Sequence, residues 1–94
     1  MLNKISIEKI VKENIKSVLE DNAISLKNDI DITNKFVEDL GFNSLMIAQL
    51  IMLVQDEIES EPFLNDYAIS DVKCVDDFCN VYYNEQKSSL MEII

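Results

Sequence analysis

Along the first segment, apolar residues recur at Ile7, Ile10, Val11, Ile15, Val18 and Leu19, the spacing that lays one stripe along an α-helix. Lys9, Lys12, Glu13, Lys16 and Glu20 take the intervening positions, as on a solvated face. Ser6 is the expected N-cap, and Glu8 sits in the first turn, where an acid complements the helix dipole. The pattern predicts helix one over about residues 7–21. From 21 to 43 the period is lost. So long a connection in a small domain is functional or held down by anchors of its own. Ile24, Leu26, Ile30, Ile32, Phe36, Val37 and Leu40 are the expected anchors. Thr33 is placed to cap one turn ending at Leu40, and the only glycine, Gly41, follows where a left-handed residue costs least.

A breaker-free run of good helix formers predicts helix two over about residues 44–59, ended before Pro62. Its core stripe reads Ile47, Leu50, Ile51, Val54 and Ile58, yet Leu45, Met46, Ala48, Met52 and Leu53 are apolar too. One face does not hold them all. Either several helices surround this one, or part of its surface is meant for partners. Beyond Pro62 and Phe63, about residues 65–70 predict only a short helix three. Val75, Phe78, Cys79 and Tyr82 then repeat at helical spacing, with Asp76 and Asp77 in the first turn, and predict helix four over about residues 75–86. The tail, 87–94, either prolongs that helix or frays.

Composition turns this into one all-α domain over residues 1–94. Apolar residues make up 48% of the chain, with one Gly and one Pro, too apolar for disorder and too poor in turn residues for a sandwich or barrel. Eight Lys and Arg against 18 Asp and Glu give a formal charge of −10. Nucleic acid and membrane are therefore not expected as partners, since phosphate backbones and anionic lipid repel such a polyanion. The acidity either draws the domain to basic patches on other proteins or serves solubility alone. Cys74 and Cys79 lie five apart in a helical segment and point to different faces, so no intrachain disulfide is expected, and reduced thiols fit the cytoplasm. The opening MLNKISIEKI lacks the apolar core of a signal peptide, and no apolar run reaches membrane-spanning length. A start methionine and the lack of a linker rich in Pro, Ser or Gly favour a free-standing protein, and a monomer is expected.

The chemistry is concentrated in DLGFNSL, residues 39–45, where the loop with the only glycine delivers Ser44 to the start of the longest expected helix. A helix N-terminus offers unpaired N–H groups and a positive dipole end, which suit an anion attached there. Asn43 is placed to cap the helix. Local physics alone favours the plainer reading, in which Asn43 or Ser44 simply caps the helix and Gly41 ends the preceding turn.

The longer run FVEDLGFNSLMIAQLIMLVQDEI resembles the acyl and peptidyl carrier protein family, whose signature is Asp-Ser-Leu at the start of the second of four helices. The resemblance continues through the segment around Ala68 and Ile69 and the VDDF of residues 75–78, covering about residues 5–84. It implies a four-helix bundle of the acyl-carrier type, with a long helix 1–2 loop and a short third helix. It also implies 4′-phosphopantetheine, taken covalently from coenzyme A, on Ser44, with Asn43 and Gly41 shaping the attachment site. The arm's thiol then holds an acyl group as a thioester. A phosphopantetheinyl transferase, acyl- or aminoacyl-loading enzymes and synthases are the implied partners, and they perform every bond change.

Three positions depart from the fatty-acid carriers: Asn43 replaces the usual aspartate, and Met46 and Gln49 stand where acids tend to dock on basic surfaces. Leu45-Met46 and Ala48-Gln49-Leu50 look closer to polyketide and nonribosomal-peptide carriers, which rely more on apolar contacts. Cys74 stands where the family often has a hydroxyl cap. The expected docking face is Leu45, Met46, Gln49 and Met52, flanked by Asp39 and Asp56. For Leu45 and Met52 the alternative is burial beneath the long loop.

Other chemistries are excluded by residue type. Counting from Asp29, DIDIT puts Asn34 where a calcium loop needs glycine and Leu40 where it needs glutamate. The chain has no histidine, which removes Ser-His and Cys-His pairs and His-containing zinc sites, and two cysteines alone make a poor metal site. Phe42 and Met46 replace both glycines of a nucleophile elbow. Tyr67, Tyr82 and Tyr83 lack the basic neighbours of a base-stacking platform. No catalytic residue and no metal ligand set is expected, and the competing function is a carrier-like module that binds a partner unmodified.

Overall fold

The computed structural model describes residues 3–25, 29–59 and 72–93. Among them are three helices, α1 (Lys4–Asp21), α2 (Ser44–Ile58) and α3 (Val75–Ile93), and α1 packs against both others. The helix expected over residues 65–70 lies outside the described residues, as do Leu26 and Tyr67. No described helix is long and apolar enough to cross a membrane.

α1 begins a turn earlier than its apolar stripe, because Asn3 rather than Ser6 is the N-cap. The Asn3 Oδ1 accepts the Ser6 N–H at 2.8 Å, so Ser6 is the residue capped, not the cap. The extra turn lets the Lys4 Nζ reach the Asp76 Oδ1 of α3 at 3.1 Å, and that hydrogen bond holds the Lys4 ammonium above its ordinary pKa. At the other end, the Ala23 N–H donates to the Glu20 carbonyl and the Ile24 N–H to that of Leu19, at 3.1 and 2.8 Å. This is a Schellman ending, with Ala23 at φ +58° in the left-handed position that glycine usually fills.

Two side-chain bridges set the direction of α2. The Asn14 Nδ2 donates to the Glu57 Oε1 at 3.3 Å, and the Asn22 Nδ2 to the Gln49 Oε1 at 3.1 Å. Advancing from Asn14 to Asn22 on α1 retreats from Glu57 to Gln49 on α2 by the same number of residues, so the helices run antiparallel in one register.

The α1 stripe is buried as expected at Ile7, Val11, Ile15, Val18 and Leu19, with Ile10 at its margin. α2 is rotated relative to its expected stripe: Met46, Leu50 and Val54 are buried, while Ile47, Ile51 and Ile58 pack at the edge. α3 contributes Val75, Phe78, Cys79 and Tyr82. Apart from the Tyr82 hydroxyl and the Cys79 thiol, the buried side chains among the described residues are apolar, and full burial of each large one stabilises by roughly 1.5–3 kcal/mol.

The loop before α2 is part of this core. Phe36, Leu40 and Phe42 are each 3% exposed, and Ile24, Ile30 and Ile32 pack against the same core. Val37 is no anchor: it is 62% exposed, because Phe36 and Leu40 take the inward side of the same turn. Nor does Thr33 cap that turn, since its N–H and hydroxyl both donate to the Asp31 Oδ1, at 2.9 and 2.8 Å. Those bonds, the N–H first, hold the Asp31 carboxyl below its ordinary pKa. The cap is Asp39, whose Oδ2 accepts the Lys35 N–H at 2.7 Å while the Lys35 carbonyl accepts from Asp39 and Leu40.

The same loop caps α3. The Val75 N–H donates to the Asn34 carbonyl at 3.0 Å and the Asp76 N–H to that of Ile32 at 2.8 Å, with an isolated bridge between Lys35 and Cys74. Asp77 completes the start of α3, its Oδ2 accepting from the Lys73 and Cys74 N–H groups at 3.1 and 3.3 Å. Four rings in succession tie loop to helix: Phe42 to Phe36 at 5.3 Å, Phe36 to Phe78 at 5.8 Å, and Phe78 to Tyr82 at 5.2 Å. α3 then continues to Ile93, so the tail prolongs the helix. Both cysteines are free, Cys79 within the core and Cys74 half-buried ahead of α3.

Candidate functional site

Ser44 is the first residue of α2 and is exposed. Its position is fixed from behind. Phe42 is buried against Phe36, and its N–H donates to the Phe36 carbonyl at 2.8 Å. Gly41 precedes it at φ +72°, in open space: a Cβ there would meet nothing within 4 Å, so the glycine serves the backbone conformation and not a close approach.

Asn43 is the N-cap, as its residue type predicted. Its backbone is extended (φ −111°, ψ 179°), its Oδ1 accepts the Met46 N–H at 2.9 Å, and its carbonyl accepts that of Ile47 at 3.0 Å. The cap thus takes the third amide of the helix. The N–H groups of Ser44 and Leu45, and the Ser44 hydroxyl, have no partner among the described residues. Two free donors and the positive dipole end therefore surround an exposed hydroxyl, an arrangement that favours an anion bonded at that oxygen.

Of the residues expected on a docking face, Leu45 and Met52 are 66% and 70% exposed and share one face of α2 with exposed Ala48; neither lies beneath the loop. Leu53, 40% exposed, borders them. Met46 does not belong there: it is 2% exposed and packs in the core beside Leu50. Gln49 is half-buried and turned toward α1, where it accepts from Asn22. Asp39 and Asp56 are both exposed, Asp39 being occupied as the cap of its turn. From Ser44 to Gln55 α2 carries no charged residue, in a chain of net charge −10.

Sequence reasoning passed over Phe42. Its signal was its place just before an N-cap, where an apolar residue ordinarily packs on the fourth helical residue, here Ile47.

Comparison with known proteins gives a partial likeness. No family model matches the chain, and no solved structure does. Among curated relatives are proteins named acyl carrier protein from two Type A strains of Clostridium perfringens. Each is 33% identical over 49 residues, which is 52% of this chain and 64% of the relative. The match thus spans less than two thirds of those relatives' own length.

Proposed function

We propose that this chain, similar over half its length to acyl carrier proteins, is itself an acyl or peptidyl carrier that holds thioester-linked intermediates on a 4′-phosphopantetheine arm at Ser44. The observation that carries this reading is the exposed serine at the first position of α2, its hydroxyl and the two amides beside it without partners among the described residues. The arm supplies a thiol on a long tether. The protein's own residues supply everything else: Asn43 holds the helix start open, Gly41 and Phe42 fix where it begins, and the dipole end of α2 stabilises the phosphodiester.

In this reading the chain is no enzyme. It is a cytoplasmic monomer, a single domain on the four-helix plan of carriers, and its arm raises the local concentration of cargo at a docked active site. The partners are a phosphopantetheinyl transferase and the loading and synthase enzymes of a polyketide, nonribosomal-peptide or fatty-acid-type pathway. They meet α2 through Leu45, Ala48 and Met52, with Asp39 and Asp56 as charged flanks.

The test is the intact mass after incubation with coenzyme A and a broad-specificity phosphopantetheinyl transferase. The expected result is one added phosphopantetheine on the wild type and none on Ser44→Ala. No addition to a protein shown to be folded would replace this reading with an unmodified partner-binding module.

A further inference from the structure

Gln49 lies on the second turn of α2, one turn beyond Ser44, and its side chain is committed inward. The Asn22 amide nitrogen donates to the Gln49 Oε1 at 3.1 Å and to the Val18 carbonyl at 2.8 Å. Asn22 is also the C-cap of α1, its backbone N–H shared between the carbonyls of Val18 and Leu19. One half-buried side chain therefore ends α1 and grips α2 beside the candidate site. The second bridge, Asn14 to Glu57, lies at the far end of α2 and is longer, at 3.3 Å, and exposed.

We propose that the Asn22–Gln49 hydrogen bond is a positioning device for Ser44, and that Gln49 serves the site through Asn22 rather than by touching a partner. The inference rests on the carrier reading above. α2 is uncharged up to Gln55, so no ion pair fixes its N-terminal half. Apolar packing of Met46 and Leu50 resists separation of the helices but is tolerant of small rotations about the helix axis, whereas a directional hydrogen bond is not. A rotation of α2 would carry Ser44 sideways, and a displacement of about 1 Å is enough to slow a group transfer severely.

The experiment is a double-mutant cycle on the rate of Ser44 loading, with coenzyme A and the transferase as before. Asn22→Ala and Gln49→Ala are each expected to lower kcat by roughly tenfold with KM unchanged, and the double variant to fall no further. Gln49→Glu keeps the acceptor and is expected to restore kcat. If Gln49→Ala raises KM while Asn22→Ala is neutral, Gln49 is a docking contact and the proposal is wrong; two neutral variants overturn it as well. Should the wild type accept no arm, the carrier reading fails on its own, and hydrogen exchange of the Met46 and Ile47 amides decides the clamp. Faster exchange in both single variants supports it, and unchanged exchange removes it.

Discussion

The main-chain N–H of Phe36 donates to the carbonyl oxygen of Lys73 at 3.0 Å, which joins the loop ahead of Ser44 to the residues that open α3. The Phe36 ring continues that joint into the core by meeting Phe42 on one side and Phe78 on the other. Phe36→Ala is therefore expected to cost about 3–5 kcal/mol, a large part of the roughly 5–15 kcal/mol by which a folded protein is typically stable, and to lower the urea midpoint accordingly. A loss below about 1 kcal/mol, against that range, would mean the loop is not held by its rings.

At the site itself the cap separates two substitutions. Asn43→Ala removes the acceptor for the Met46 N–H and is expected to cost about 1 kcal/mol in urea unfolding. Asn43→Asp keeps the acceptor and adds a negative charge at the dipole's positive end, for a gain of about 0.5 kcal/mol. Equal stability of the two variants would show that the cap contributes nothing.

Backbone conformation provides a pair of opposite sign. Ala23 is left-handed at φ +58°, so Ala23→Gly relieves strain and is expected to stabilise by about 1 kcal/mol. Gly41 is left-handed with room for a Cβ, so Gly41→Ala meets no clash and loses about 1 kcal/mol from the backbone alone. Thermal unfolding of the two variants, shifted in opposite directions, checks both.

Alkaline pH tests the core. Burial, helped by the negative charges of Glu8 and Asp76, pushes the Cys79 thiol from 9.0 up to about 12, and burial also raises Tyr82. Above pH 9 the unfolded chain loses the Cys79 proton that the folded chain keeps, so stability is fully present below about pH 9 and declines as pH rises toward 12. The slope from this one group reaches at most about 1.4 kcal/mol per pH unit. Unfolding free energies from urea titrations at stepped pH should show that decline, shallower in Cys79→Ala. A thiol reagent should reach Cys74 well before Cys79 in the folded protein.

Docking should depend little on salt. With no charge on α2 before Asp56 and with Leu45 and Met52 exposed, the KM of the loading reaction is expected to change little with ionic strength and to rise several-fold in Leu45→Ala and Met52→Ala. A KM that climbs steeply with salt would place the contact on the acidic flanks instead.

The helices could be read in the sequence because a three-and-four apolar period survives on α1 and α3, and Asn43 and Gly41 could be read because cap and left-handed positions select few residue types. The facing of α2 could not. Its residues are apolar all round, so period alone does not distinguish Met46, which is buried, from Leu45, which is not. Ser6 lost the cap of α1 to Asn3 because both types cap well and only the contacts of the extra turn decide between them. The hydrogen bonds from the loop to α3 join residues far apart in the chain and leave no local trace, and the left-handed Ala23 carries no glycine to announce it.

The row of rings from Phe42 to Tyr82 bears on the order of folding. Helices close contacts between near neighbours and form quickly, but Phe36 meets Phe78 only after nearly half the chain has been looped back. That contact is non-local, unlike the bonds within a helix. Joining the Phe36 loop to α3 is therefore an expected slow step in folding, and the fixing of Ser44, which follows that loop, is expected to depend on it.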